Sequence, residues 1–127
     1  MTLVEVMVAM VVFLLIAVSF TAAIMAALRT AYMASDYYSA VCIARNRIQR
    51  AESMDFDSIP LLVESSNVVN ELGITVSTGR YLRTTIVTNA APWTYCVKVS
   101  VGFPTRFGFS RQPIEIETLI NSQMLSN

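Results

Sequence analysis

Twenty-three consecutive residues, Val6 to Leu28, carry no charge, no glycine and no proline, and only Ser19 and Thr21 among them have polar side chains. A helix rises about 1.5 Å per residue, so about 20 residues cross a hydrocarbon layer of roughly 30 Å and this run spans one. As the core helix of a soluble domain it would be apolar on every side, and the remaining residues would have to wrap it completely. A secretory signal peptide fits poorly, because a basic start and a shorter apolar region would be expected. The run therefore predicts a membrane-spanning helix over 1–28, or an equally apolar protein surround.

No glycine or proline interrupts the chain before Pro60, so the helix is free to continue past Arg29. Over 29–54 its character changes. Met33, Tyr37, Val41, Ala44, Ile48 and Ala51 recur at spacings of three and four, which marks one apolar stripe on a solvent-exposed helix. Asp36, Arg45, Arg47, Arg50 and Glu52 lie off that stripe. One helix of about 53 residues would be about 80 Å long, several times what a small domain needs.

Beyond Met54 come all the glycines and prolines, together with short alternating runs. Residues 55–127 read as a globular β domain. It opens with an irregular connection from Asp55 to Gly79, with a short element of helix or strand near Asn67 to Leu72. Strands are expected at Tyr81 to Thr88, Trp93 to Val101 and Ile114 to Ile120. In the middle one Trp93, Tyr95, Val97, Val99 and Val101 share a face, opposite Thr94, Cys96, Lys98 and Ser100. The apolar face needs cover, and the stripe on the helix supplies it. The expected fold class is α+β: one long N-terminal helix packed on a small antiparallel sheet of about three or four strands. The loop Gly102 to Pro113 carries Phe103, Phe107 and Phe109, which either fold back as a satellite cluster or meet a neighbouring molecule.

Composition narrows the chemistry. There is no histidine, which removes Ser-His-Asp and Cys-His nucleophiles, His-containing zinc sites and His-ligated haem. Nine basic residues balance nine acidic ones, leaving little for bulk attraction to nucleic acid. Asp55 and Asp57 are the one close carboxylate pair outside the strands, and they read as turn residues at the helix end. No enzyme, no cofactor, no metal and no specific nucleic acid are expected.

The opening Met1-Thr2-Leu3-Val4-Glu5-Val6, running straight into Met7 to Leu28, resembles the mature N-terminus of type IV pilins and their pseudopilin relatives. Its mark is one carboxylate at position five of an otherwise uncharged segment. Ala40 to Ile48, Met54 to Pro60, the strand Tyr95 to Val101 and the ending Glu117-Thr118-Leu119-Ile120 are similar to minor pilins and to type II secretion pseudopilins of the small single-sheet kind. The resemblance implies the type IV pilin fold and a structural subunit of a homo-oligomeric helical filament or fimbrium. It also implies a leader removed by prepilin peptidase, N-methylation of Met1, and assembly machinery that draws the chain from the bacterial inner membrane. The destination would be an extracellular pilus, serving for example cell adhesion, or a periplasmic pseudopilus serving protein secretion. Three departures point to the minor-pilin or pseudopilin branch, or to a major pilin of unusual lineage. Met1 stands where phenylalanine is usual and is also compatible with a translation start; Leu14 and Ala22 replace the customary glycine and proline; and no cysteine pair encloses a C-terminal loop. The basic residues after the apolar run lie on the outer side, against the positive-inside trend, and a basic leader would restore it.

Glu5 carries the physical argument. A carboxylate within the apolar zone is unfavourable by roughly 2.5–3.5 kcal/mol on insertion scales. The α-amino group of Met1, the chain's own or a neighbour's, is the only positive charge near that end, and the resemblance implies that Glu5 meets the terminal amine of an adjacent subunit. The plainer account is an interfacial glutamate bathed by headgroups, at the end of a membrane-anchored receptor or sensor. Ala22 with Ala26, Ala23 with Ala27, and Ala27 with Ala31 are small-residue pairs four apart, suited to close helix packing in an apolar medium. Phe13, Phe20, Tyr32, Tyr37 and Tyr38 are explained by packing more simply than by charge transport along a fibre. Cys42 and Cys96 would meet an oxidising compartment after export, so a disulfide between helix and middle strand is a candidate. Strand parity opposes it, because Cys96 falls on the face away from the helix. Arg45, Arg47 and Arg50 find no opposite charge three or four residues away, and are expected to be solvated or to pair with Asp36, Glu64 or Glu71 of a neighbour.

Overall fold

In the computed structural model, residues 2–105 and 108–122 are described. A single α-helix, α1, runs Leu3–Glu52. Strands follow in the order β1 (Glu64–Val69), β2 (Tyr81–Ala91), β3 (Thr94–Gly102), β4 (Pro104–Thr105), β5 (Gly108–Phe109) and β6 (Ile114–Asn121), with a 3-10 segment at Phe56–Leu62 between α1 and β1. The chain divides into two compact units, Met1–Ser35 and Asp36–Asn127.

In the second unit the final part of α1 packs on a four-stranded antiparallel sheet ordered β1-β2-β3-β6. The α+β class read from the sequence is therefore the observed one. The stripe that makes the contact is Ala40, Ile43, Ala44, Arg47, Ile48 and Ala51, at the spacings of one helical face. It is turned about the helix axis from the expected stripe: Tyr37 is exposed, Val41 is half-buried, and Arg47 sits in the interior. Three alanines on this face let the helix backbone approach the valine row of β3 closely, and Val97, Val99 and Val101 are completely buried. Tyr81 of β2, Ile120 of β6, and Ile59 and Leu62 of the 3-10 segment close the core.

The helix ends without a glycine. The Ser53 amide donates to the Gln49 and Arg50 carbonyls, and the Ser53 hydroxyl donates to that of Arg50 at 3.0 Å. Asp55 and Asp57 fall at the turn into the 3-10 segment, where the Ser58 amide donates to the Asp55 carbonyl at 2.8 Å. The element expected near Asn67 to Leu72 is a strand that begins earlier, at Glu64.

The middle strand begins one residue later than expected. Trp93 is 72% exposed and belongs to the two-residue turn between β2 and β3, not to the buried face. Such turns need positive φ, which proline cannot supply, so it falls on Trp93 at 65°. The loop expected over Gly102 to Pro113 contains the small hairpin β4-β5. Phe103 folds back onto the core and meets Tyr37 edge-to-face with ring centroids 5.9 Å apart. Phe109 is 44% exposed, and Phe107 lies outside the described residues.

Candidate assembly helix and its supporting domain

Every described residue of the first unit, Thr2 to Ser35, is exposed. The most apolar 18-residue window of α1 has a mean hydropathy of 2.8 and none of it is buried within the chain. This helix is long and apolar enough to cross a membrane, which is the coarse part of the sequence expectation. Three hydroxyls in and beside the apolar tract are satisfied locally. The hydroxyls of Ser19, Thr21 and Thr30 donate to the carbonyls of Leu15, Ala17 and Ala26, four residues back, at 2.8, 2.9 and 3.1 Å. Such back-bonding is how a hydroxyl is carried in a medium without water. Ala22, Ala23, Ala26 and Ala27 are exposed on this segment.

Glu5 differs from these hydroxyls. It lies in the first turn of α1, exposed, and forms no ion pair among the described residues. Its backbone amide donates to the Thr2 carbonyl at 3.0 Å, which opens the helix. The free amides of that turn favour a carboxylate by about 0.3–1 kcal/mol, less than the cost of placing one in hydrocarbon. Local structure thus offsets part of the penalty and leaves the larger part. Met1, the expected partner and methylation site, lies outside the described residues.

The second unit holds a buried polar cluster that the sequence reading did not assemble. Residues 64 and 67 pair with Thr85 and Arg83, so β1 carries an extra residue between them and Ser66 takes φ 53°. This bulge puts Glu64 on the inner face, the same side as Arg83 and Thr85. Glu64 accepts from Arg83 Nε at 2.9 Å and Nη2 at 3.2 Å, and pairs with Arg47 Nη2 at 2.7 Å. Arg83 Nη1 donates to the Gly73 carbonyl at 2.7 Å, and Arg47 Nη2 to the Leu62 carbonyl at 3.0 Å. Gly73, at φ 75°, is held by Asn70, whose side-chain oxygen accepts from the Leu72 and Ile74 amides. Burial pushes the Arg47 guanidinium below its usual range; Glu64 works against that shift, while Arg83 and Arg50 reinforce it. Among the described residues Arg47 Nε and the Thr85 hydroxyl are buried without a hydrogen-bond partner.

The acidic residues expected to pair with arginines of a neighbour are instead engaged within the chain. Asp36 meets Arg80 at 3.4 Å and accepts from the Tyr81 hydroxyl at 3.2 Å, and Glu71 stands 3.7 Å from Arg80. Burial, helped by these acids, raises the Tyr81 phenol above its ordinary range. Among the described residues Arg45 and Arg50 have no ion-pair partner.

The candidate bond between Cys42 and Cys96 does not form, and both thiols are free. Cys96 lies on the face of β3 opposite Val97, as parity requires, and its thiol donates to Glu117 Oε1 at 2.8 Å. That hydrogen bond raises the thiol above its usual range. Among the described residues no group of three side chains is arranged to hold a metal ion. No family model, curated protein or solved structure matches this chain.

Proposed function

We propose that the chain is a structural subunit of a type IV pilus-like filament, held first as a single span in the bacterial inner membrane and then polymerised through its apolar helix. The observation that carries this reading is the contrast within the first unit. Three hydroxyls are satisfied by their own helix, while one carboxylate, Glu5, forms no ion pair among the described residues and stands on an exposed apolar rod. An acid in that position finds an opposite charge most economically on another copy of the same chain, at the N-terminal amine freed by leader removal. The Ala22/Ala26 and Ala23/Ala27 pairs supply close helix contacts. The globular unit, with a wet sheet face, forms the exterior. A prepilin peptidase and pilus assembly machinery are the implied partners, with an extracellular pilus or a periplasmic pseudopilus as the final location.

The test is Glu5→Leu, expressed beside wild type in cells that carry the assembly machinery. A filament subunit stays in the membrane fraction and disappears from the sheared surface fraction in immunoblots and electron micrographs. A monomeric anchored receptor or sensor behaves the same with either residue. Filaments of Glu5→Leu at normal yield would overturn the proposal.

A further inference from the structure

A groove of about 560 Å³ opens beside the buried arginines of the globular unit. Arg47, Arg50 and Arg83 line it against one acid, Glu64, so its walls are two charges positive. Glu64 is already occupied by Arg83 and Arg47, whereas among the described residues Arg50 has no ion-pair partner and the buried Arg47 Nε has no hydrogen-bond partner. The rim is of another kind: Leu61, Leu72 and Ile74 are 81, 75 and 57% exposed. Three large aliphatic side chains held in water around a positive floor are unusual for a surface with no partner. They come from two separate segments, the 3-10 turn and the Asn70-anchored turn, each fixed by its own hydrogen bonds.

We propose that this groove binds an acidic segment of a partner protein, whose carboxylate enters between Arg50 and Arg47 while flanking aliphatic side chains lie on Leu61, Leu72 and Ile74. Charge complementarity selects the carboxylate, and the aliphatic rim selects a peptide over an inorganic anion, which would leave that rim in water. The size is ordinary for a specific site, within the roughly 300–1,000 Å³ of small-ligand pockets. The site is independent of the filament proposal, because it lies wholly in the globular unit and does not involve Glu5.

The experiment is a nitrogen-15 amide titration of the full chain in detergent micelles with acetyl-Leu-Glu-Leu-amide, its Gln counterpart, and sodium sulfate. The Glu peptide is expected to move the Asn46, Arg50, Gly73 and Thr75 amides saturably. The Gln peptide should bind about tenfold more weakly, the loss of one charge-assisted hydrogen bond, and the Arg50→Glu variant at least as weakly, because it also sets a like charge against the peptide. Arg50 is exposed and forms no ion pair among the described residues, so this variant keeps the fold. Leu72→Ser should weaken the Glu peptide severalfold and leave any sulfate response unchanged. Equal binding of the Glu and Gln peptides, sulfate as strong as the Glu peptide, or no saturable shift with the Glu peptide would each overturn the proposal.

Discussion

Glu64→Gln is the sharpest perturbation of the globular unit. The carboxylate is 18% exposed and faces guanidinium groups that are 8 and 7% exposed. Glutamine keeps the volume and one acceptor oxygen but turns two N–H donors toward arginines that can only donate. Two buried positive charges then face each other without a counter-ion, and Arg47 Nε already lacks a partner. Breaking a buried pair by removing one member costs about 3–5 kcal/mol. The carbonyls of Leu62 and Gly73 still receive their arginines, so the lower end applies, about 3 kcal/mol. For a unit of this size about 1 kcal/mol moves Tm by about 4–8 °C, giving a drop of about 12 °C or more. Near-ultraviolet circular dichroism of the full chain in detergent is the assay, because it follows tertiary packing while the apolar helix stays helical. Replacing all three residues with apolar ones of similar size should recover most of the loss. A drop under about 4 °C for Glu64→Gln would show that the cluster is solvated and that the burial argument is wrong.

Other outcomes follow from the same structure. Gly79→Ala should cost about 2 kcal/mol or more, read in the same melt, because a Cβ there would overlap the Val69 backbone carbonyl. Tyr81→Phe should cost about 1–2 kcal/mol at neutral pH through loss of the hydrogen bond to the Asp36 carboxylate, and in a double-mutant cycle the same change should cost less in an Asp36→Asn background. Glu117→Gln, in a Cys42→Ser background, should lower the Cys96 thiol toward its ordinary range, and alkylation measured against pH should turn on at a lower pH. In the unchanged chain the raised thiol binds its proton more tightly folded than unfolded. Its contribution to stability is therefore complete below the ordinary thiol range and lost as pH climbs through the raised value.

The large divisions of the chain were legible because they rest on patterns that tertiary contacts rarely overrule. An uncharged run without breakers became a continuous helix, and the valines at 97, 99 and 101 became the centre of the core. What escaped depended on one-residue events. Apolar spacing alone leaves Arg47 off the helix stripe, yet Glu64 and the Leu62 carbonyl make its burial tolerable. Glu64 reached them only through the β1 bulge, which alternation alone does not reveal. A signal did exist on the other strand: Tyr81, Arg83, Thr85 and Val87 alternate on the inward side, which flagged Arg83 as a buried charge in need of an acid. Trp93 left the expected strand because Pro92 forces the positive φ of the turn onto its neighbour. Glu5 stands out in the sequence as one acid in an apolar helix, and among the described residues it forms no ion pair.

The most direct test is a side-chain-resolution cryo-electron microscopy map of the assembled fibre. The account predicts that each Glu5 carboxylate lies within about 4 Å of the N-terminal amine of a neighbouring subunit, the reach of an ion pair. A fibre in which Glu5 faces solvent, or approaches no amine from another copy, would contradict it.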